Sequence, residues 1–352
     1  MTQPDDTRAG LTGEAGCRAA GKRVAVVGAT GAVGRVMLEL LNERAFPADE
    51  IVLFASARSA GAQIDGRTVQ LLDDNADLSG FHIALFSAGA GTSRAWAHRF
   101  VAAGAVVIDN SSAFRHDPSV PLVVSEVNPH ALQHHRGLIA NPNCSTMQLM
   151  VALAPIHRAV RIERLIVSTY QSVSGTGRKA IDELDAQTGA DLRGEAMPDP
   201  VLYPDHIAFN VIGAAGNFAE GDDHTDEERK LMFETRKILE DESIAIAVTC
   251  VRVPVRVGHS EAVNVQTQEP VTADRVRELL GDAPGIILEH VPSPLRAAGR
   301  DEVFVGRIRR DESHPRAFSM WVVSDNLRKG AATNAVQIAE LLVADRAGSP
   351  VS

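Results

Sequence analysis

The chain has 352 residues, of which 45% are hydrophobic and 23% charged, with a net charge of −10. This is the composition of a globular protein long enough for two domains of ordinary size. The acidic balance, without a dense Lys/Arg run, excludes nucleic acid as the expected partner, and no apolar run reaches the roughly 18–20 residues of a bilayer span, so no membrane partner is expected either.

Residues 1–21, MTQPDDTRAGLTGEAGCRAAG, are polar and rich in Gly and Ala. They lack the apolar core of a signal peptide and read as a disordered lead-in. The three cysteines, Cys17, Cys144 and Cys250, form neither a CxxC pair nor a disulfide framework, which fits a cytoplasmic address. His130, His134 and His135 have no acidic or Cys companions nearby and read as the exposed face of a short helix, so no metal site is expected.

From Lys22 the pattern alternates between strand and helix. KRVAVVG is followed by the helical VGRVMLELLNERA. Then come IVLFAS, FHIALFSAG, the helix SRAWAHRFVAAG, AVVIDNSS and GLIANPN. Short apolar strands separated by helices predict an α/β unit, a mainly parallel sheet covered on both faces. Between the first strand and helix stand Gly28, Gly31 and Gly34, spaced GxxGxxG. Such glycines let the backbone turn tightly and bring a pyrophosphate onto the helix N-terminus, so the loop is read as nucleotide-binding. Glu50 precedes the second strand instead of ending it. After the strand comes SARSAG, offering Ser56, Arg58 and Ser59, and this favours NADP over NAD. DNSSAFR then presents Arg115 at another strand end.

ANPNCSTMQLM places Cys144 between a turn and a helix. Pro142 breaks the preceding strand, Asn143 or Ser145 can cap the helix, and Met147, Met150, Val151 and Ala154 share a helical face. At a helix N-terminus a thiol pKa is expected to fall and a thiolate to be stabilised. A nucleophile and a packed structural thiol are equally compatible with this local pattern.

Beyond Cys144 the strands become longer and more polar: RIERLIVSTYQSVSG, SIAIAVTCVRVPV, SEAVNVQTQEP, GIILEH, EVFVGRIRR and AFSMWVVSDN. Antiparallel pairing with helices on one face, an α+β domain, is expected. Residues 188–225 read as a long polar excursion. TDEERKLMFETRKIL is a helix carrying Glu227, Glu228 and Lys230, with Asp226 and Lys230 at surface-pair spacing. Arg252 and His259 are seven apart, so they reach one site only if Pro254 or Gly258 breaks the strand. Cys250 shares a face with Arg252 and reads as a packed thiol. The last helix, GAATNAVQIAELLVADR, can pack on either domain.

Nine motifs in order, VGATGAVG, FASARSAG, ALFSAG, VIDNSSAFR, NPNCST, STYQSVSGTG, EERKLMFETRKIL, CVRVPVRVGHSE and SDNLRKGAA, closely resemble the aspartate-semialdehyde dehydrogenases, in particular their actinobacterial and Gram-positive branch. The resemblance implies a Rossmann-type NADP-binding domain over 22–144 and 327–348. It also implies a catalytic and dimerisation domain over 145–326, like the C-terminal domain of glyceraldehyde-3-phosphate dehydrogenase. The implied reaction is the NADPH-dependent conversion of 4-phospho-L-aspartate to L-aspartate 4-semialdehyde with release of phosphate, in a homodimer whose pairing into tetramers stays open. Carried over by motif, Cys144 forms the thioester, Gln171 orients it and His259 is the acid/base. Arg252 then holds the α-carboxylate and Glu228 the ammonium, while Arg115 and Lys230 bind phosphate with Glu227 positioning Lys230. Gly28, Thr30, Gly31, Ala32, Val33, Gly34, Ser56, Arg58, Ser59, Ser87, Gly89, Ser174, Gly175 and Asn326 are implied to lie at the cofactor. IGAAGNFAEGDDH departs from the family's usual segment after AFNV and leaves the conformation there open. N-acetyl-γ-glutamyl-phosphate reductase and a non-catalytic NADP-binding paralogue are the alternatives. The first takes a substrate without a free ammonium, and the second is expected to lack the Cys or His.

Overall fold

The computed structural model describes residues 22–346; the lead-in of residues 1–21, with Cys17, and residues 347–352 lie outside them. The N-terminal half forms β1 (Lys22–Val27), α1 (Ala32–Glu43), β2 (Ala48–Ala55), β3 (Gln63–Ile64), β4 (Arg67–Leu71), β5 (Ile83–Phe86), α2 (Ala90–Ala102), β6 (Val106–Asp109) and β7 (Leu138–Ala140). These strands make a 7-stranded sheet ordered β3-β4-β2-β1-β5-β6-β7, parallel except for the β3–β4 hairpin. Its central strands are buried on both faces, as their unbroken apolar runs predict.

The chain continues through α3 (Cys144–Val160), β8 (Ile162–Gln171), α4 (Arg178–Leu192), α5 (Asp226–Leu239), β9 (Ala245–Arg252), β10 (His259–Thr267), α6 (Ala273–Gly281), β11 (Ile286–Leu288), α7 (Pro294–Ala297), β12 (Val303–Arg310), β13 (Ala317–Ser324) and α8 (Asn334–Arg346). The second sheet has 6 strands in the order β11-β12-β13-β10-β8-β9. It is mixed rather than purely antiparallel, because β8 pairs with β9 and β11 with β12 in parallel. Alternation decides its two faces. Leu165, Val167, Val263, Val265, Phe318 and Met320 point into the core under α3, whereas Ile166, Ala262 and Trp321 face outward.

Helix α3 is buried all round from Ser145 to Ala154, so the single apolar face read from its methionines understates its role. One continuous apolar cluster takes in β6, α3 and the second sheet, and α3 joins the two halves. Helix α8 returns to the first half: Ala335, Val336, Ile338 and Ala339 pack with Leu38, Leu41 and Leu85.

The polar excursion is ordered by side chains that bind backbone. Glu183 accepts from Val201 N and Leu202 N, and Gln187 accepts from Ile207 N and Ala208 N. Ile212 and Ala215 then bond to Arg252 and Cys250, so the segment that departs from the family pattern lies along the free edge of β9.

Candidate active site

Four inward side chains form a row at one end of the second sheet. Gln171 ends β8 and is registered with Arg252, the end of β9; His259 begins β10 and is registered with Ser324, the end of β13. The strand break expected between Arg252 and His259 is present: β9 stops at Arg252 and β10 starts at His259, with Gly258 at φ +98° between them. The N-terminus of α3 sits at this end, with Cys144 as its first residue.

Cys144, Gln171, Arg115, Arg252, Glu227 and Lys230 line one cleft of about 490 Å³. Val33 of the glycine loop, Ser174, Gly175 and Asn326 line it too, so the glycine loop and the thiol share one cavity. The excursion supplies another wall with Tyr203 and Ala214–Asn217. His259 lies behind Gly175: a Cβ there would stand 3.3 Å from its ring.

Asn143 caps α3, its Oδ1 accepting from Ser145 N at 2.9 Å and Thr146 N at 3.3 Å. Its Nδ2 donates to Glu227 Oε1 at 2.7 Å, and Gln171 Nε2 donates to the same oxygen at 3.0 Å. Burial tends to raise the Glu227 carboxyl, but the charge of Lys230 and those two hydrogen bonds hold it below the usual range. Lys230 donates to Asp226 at 2.7 Å and Glu227 at 3.3 Å, and these carboxylates outweigh its own desolvation and raise it.

The structure brings Glu227, not Glu228, to the cleft. Glu228 closes a capping box with Thr225, and its other oxygen accepts from Cys250 N at 3.0 Å. Both of its oxygens accept from main-chain amides and it does not line the cleft, so the geometry presents Glu227 and not Glu228 to a ligand there.

A second correction concerns the thiol. Burial pushes Cys144 up to about 12, with Glu227 adding to the rise, against smaller opposing effects of Arg252, Arg115 and the Ser145 amide. The helix start does lower the thiol through the Ser145 amide, which also serves the Asn143 cap, but burial outweighs it. Cys144 nevertheless keeps partial solvent access, whereas Cys250 is buried, as its packed reading predicts.

His259 is fully buried and held well below its ordinary value, first by desolvation and then by Arg252. Its Nδ1 accepts from Ser172 N at 3.0 Å, so the proton of the neutral ring lies on Nε2, the nitrogen without a protein partner. Ser172 also accepts from Arg252 Nη1 through its carbonyl at 2.7 Å and donates through its hydroxyl to Asn326 Oδ1 at 3.0 Å. Sequence reading missed Ser172; only its place directly after Gln171 pointed to it. It missed Gly330 as well, where a Cβ would stand 2.9 Å from Cys144 Cβ.

At the nucleotide end, Gly28 has φ +87° and a Cβ there would lie 2.6 Å from Ser87 O; a Cβ on Gly34 would lie 2.2 Å from Gly28 O. Gly31 is the N-cap of α1 and no side chain caps this helix, so Thr30, Gly31, Ala32 and Val33 form an open helix start fit for a pyrophosphate. Ser56, Arg58 and Ser59 come after β2, and Arg58 is exposed there. Gly89, at φ +82°, precedes α2, whose start is likewise uncapped. Glu50 is engaged by Arg23 at 2.7 Å at the other end of β2. Among the described residues no group of three or more His, Cys, Asp or Glu could hold a metal, and no helix is long and apolar enough to cross a membrane.

Residues 23–135 match the family described as semialdehyde dehydrogenase, NAD binding domain, and residues 153–329 match semialdehyde dehydrogenase, dimerisation domain. The aspartate-semialdehyde dehydrogenase of Aquifex aeolicus is 52% identical over 335 residues, covering 92% of this chain and 98% of the relative. That of Streptomyces akiyoshiensis is 52% identical over 338 residues, covering 93% of this chain and 100% of the relative. The crystal structure of aspartate semialdehyde dehydrogenase II complexed with ASA from Vibrio cholerae is similar at a TM-score of 0.89 and 50% identity, covering 93% of this chain and 99% of that one.

Proposed function

Because the chain belongs to the aspartate-semialdehyde dehydrogenase family, we propose that Cys144 carries an aspartyl group as a thioester, held by Arg115, Lys230, Arg252, Glu227 and Gln171, with His259 donating to its oxygen as the bond to sulfur forms and breaks. The reaction is the reversible NADPH-dependent reductive dephosphorylation of 4-phospho-L-aspartate to L-aspartate 4-semialdehyde, in amino-acid biosynthesis leading to lysine, diaminopimelate, threonine and methionine. The observation that carries the site assignment is a set of buried donors without a protein partner. Arg115 Nε and Arg252 Nε belong to side chains that line the cleft with the partly exposed thiol, and His259 Nε2 lies behind Gly175 of the same lining; buried donors of this kind are matched to the oxygens of a bound anion.

The cofactor is NADP; in this reading the glycine loop, Ser87, Gly89, Ser174, Gly175 and Asn326 hold it and Ser56, Arg58 and Ser59 take the 2′-phosphate. When bound it supplies the hydride that reduces the thioester. Cys144 Sγ attacks the acyl carbon, and the C–O bond to phosphate breaks with its electron pair going to the phosphate oxygen. Since the free thiol sits at about 12, its proton leaves during attack, and the departing phosphate oxygen is basic enough to take it. Arg115 and Lys230 offset the phosphate charge. Arg252 pairs with the α-carboxylate and Glu227 with the ammonium, the role first expected of Glu228. His259 Nε2–H donates a hydrogen bond to the oxyanion that reduction of the thioester leaves; that oxygen re-forms the carbonyl as the C–S bond breaks and aldehyde leaves, and the sulfur takes a proton from solvent to restore the neutral thiol.

The outward face of the second sheet, with Ile166, Ala262 and Trp321, supports a homodimer built on that face. The free thiols of Cys144 and Cys250 fit a cytoplasmic location. The test is phosphate-dependent reduction of NADP⁺ by aspartate semialdehyde, which Cys144→Ala is expected to abolish. Robust activity in that variant overturns the nucleophile. Preferential turnover of N-acetylglutamate semialdehyde would favour the alternative substrate.

A further inference from the structure

Helix α5 turns Glu227, Lys230 and Glu234 toward the site at i, i+3 and i+7, one face of a helix. The first two line the cleft, whereas Glu234 lies beneath it and is fully buried. Its two oxygens are divided. Oε1 accepts from Arg115 Nη1 at 3.0 Å, and Oε2 accepts from Asn143 N at 2.7 Å. Arg115 Nη2 donates to Asn110 O at 2.9 Å, which leaves Nε as its buried atom without a protein partner. Asn143 is the cap on which Cys144 is presented, so one carboxylate grips both the guanidinium and the main-chain amide of the residue just before Cys144.

A fully buried carboxylate is costly unless each oxygen is matched, and packing alone would be served by an apolar residue at this place on α5. We propose that Glu234 is a positioning residue that fixes the phosphate-binding guanidinium of Arg115 relative to Cys144. This deepens the proposed function and rests on Arg115 as a phosphate ligand. Rigid spacing matters here because the bond that breaks joins the carbon attacked by Cys144 to the phosphate held by Arg115, and small misplacements of reacting groups are expensive.

Glu234→Gln preserves size but can accept from only one partner, and its amide NH₂ faces the other donor-to-donor. In phosphate-dependent NADP⁺ reduction this variant is expected to raise the KM for phosphate about tenfold or more while the KM for aspartate semialdehyde stays within about twofold. In an Arg115→Lys background the same substitution is expected to add little to the KM for phosphate, because both changes act on that KM through the Arg115–Glu234 contact. Equal rises in both KM values, or additive effects of the two substitutions, would overturn the proposal. Glu234→Asp keeps the charge but reaches only one partner. It is expected to show the same split at smaller amplitude, and it decides the matter if Glu234→Gln does not fold. A wild-type enzyme with no phosphate dependence at all would instead sink the underlying reading of Arg115.

Discussion

Helices α1 and α3 both begin at the cleft, and they begin in opposite ways. The start of α1 is bare: Gly31 supplies no side-chain cap, and Gly28 and Gly34 keep side-chain atoms away from the turn. The start of α3 is closed by Asn143, which takes the Ser145 and Thr146 amides. An uncapped start leaves its amides for a ligand's phosphates. A capped start holds its first residue in place, and at Cys144 burial and the nearby Glu227 carboxylate push the thiol up to about 12 in spite of the helix end. A helix N-terminus is therefore not by itself a thiolate-generating device; burial and a neighbouring carboxylate can outweigh it.

The largest test of that contrast is the pH dependence of Cys144 alkylation in the ligand-free protein, read on the Cys144 peptide by mass spectrometry. The thiol is raised, so its thiolate fraction climbs about tenfold per pH unit. Labelling should rise about a thousandfold from pH 7 to pH 10 without a plateau. A plateau near pH 8 would mean that the capped helix activates the thiol after all. The sign for stability comes from the same shift: the neutral thiol's contribution is present below the ordinary cysteine value and is lost as pH rises toward 12.

At α1, Gly34→Ala puts a Cβ 2.2 Å from Gly28 O in a turn with no slack. NADPH affinity measured by fluorescence titration should fall about a hundredfold, equivalent to about 2.7 kcal/mol. Wild-type affinity would show that the bare start is not what holds the nucleotide.

The smallest effect separates two adjacent acids at a third helix start, that of α5. Glu227→Gln should raise the KM for aspartate semialdehyde about tenfold. Glu228→Gln should cost about 1 kcal/mol of stability in denaturant unfolding and leave that KM unchanged. A reversed pattern would return the ammonium role to Glu228.

Much of the site was legible because strand ends and helix starts carry local signals. NPNC marked the α3 start and the glycine spacing marked the α1 start. The strand break between Arg252 and His259 could be stated as a condition from their spacing alone. What was not legible was pairing at a distance. Glu227 and Glu228 are indistinguishable in EER until Thr225 and Cys250 claim the second of them. Glu234 looks like one more charge on a polar helix, and only the approach of Arg115 from 119 residues away gives it a role.

The sequence by itself determined the two-part α/β plan, the glycine turn before α1 and the place of Cys144 at a helix start, because backbone conformation and apolar period are properties of neighbouring residues. The tertiary structure alone decided which acid faces the cleft, which nitrogen of His259 holds the proton and how strongly Cys144 holds its own. Burial and hydrogen-bond partners set those properties, and both are supplied by residues remote in the chain.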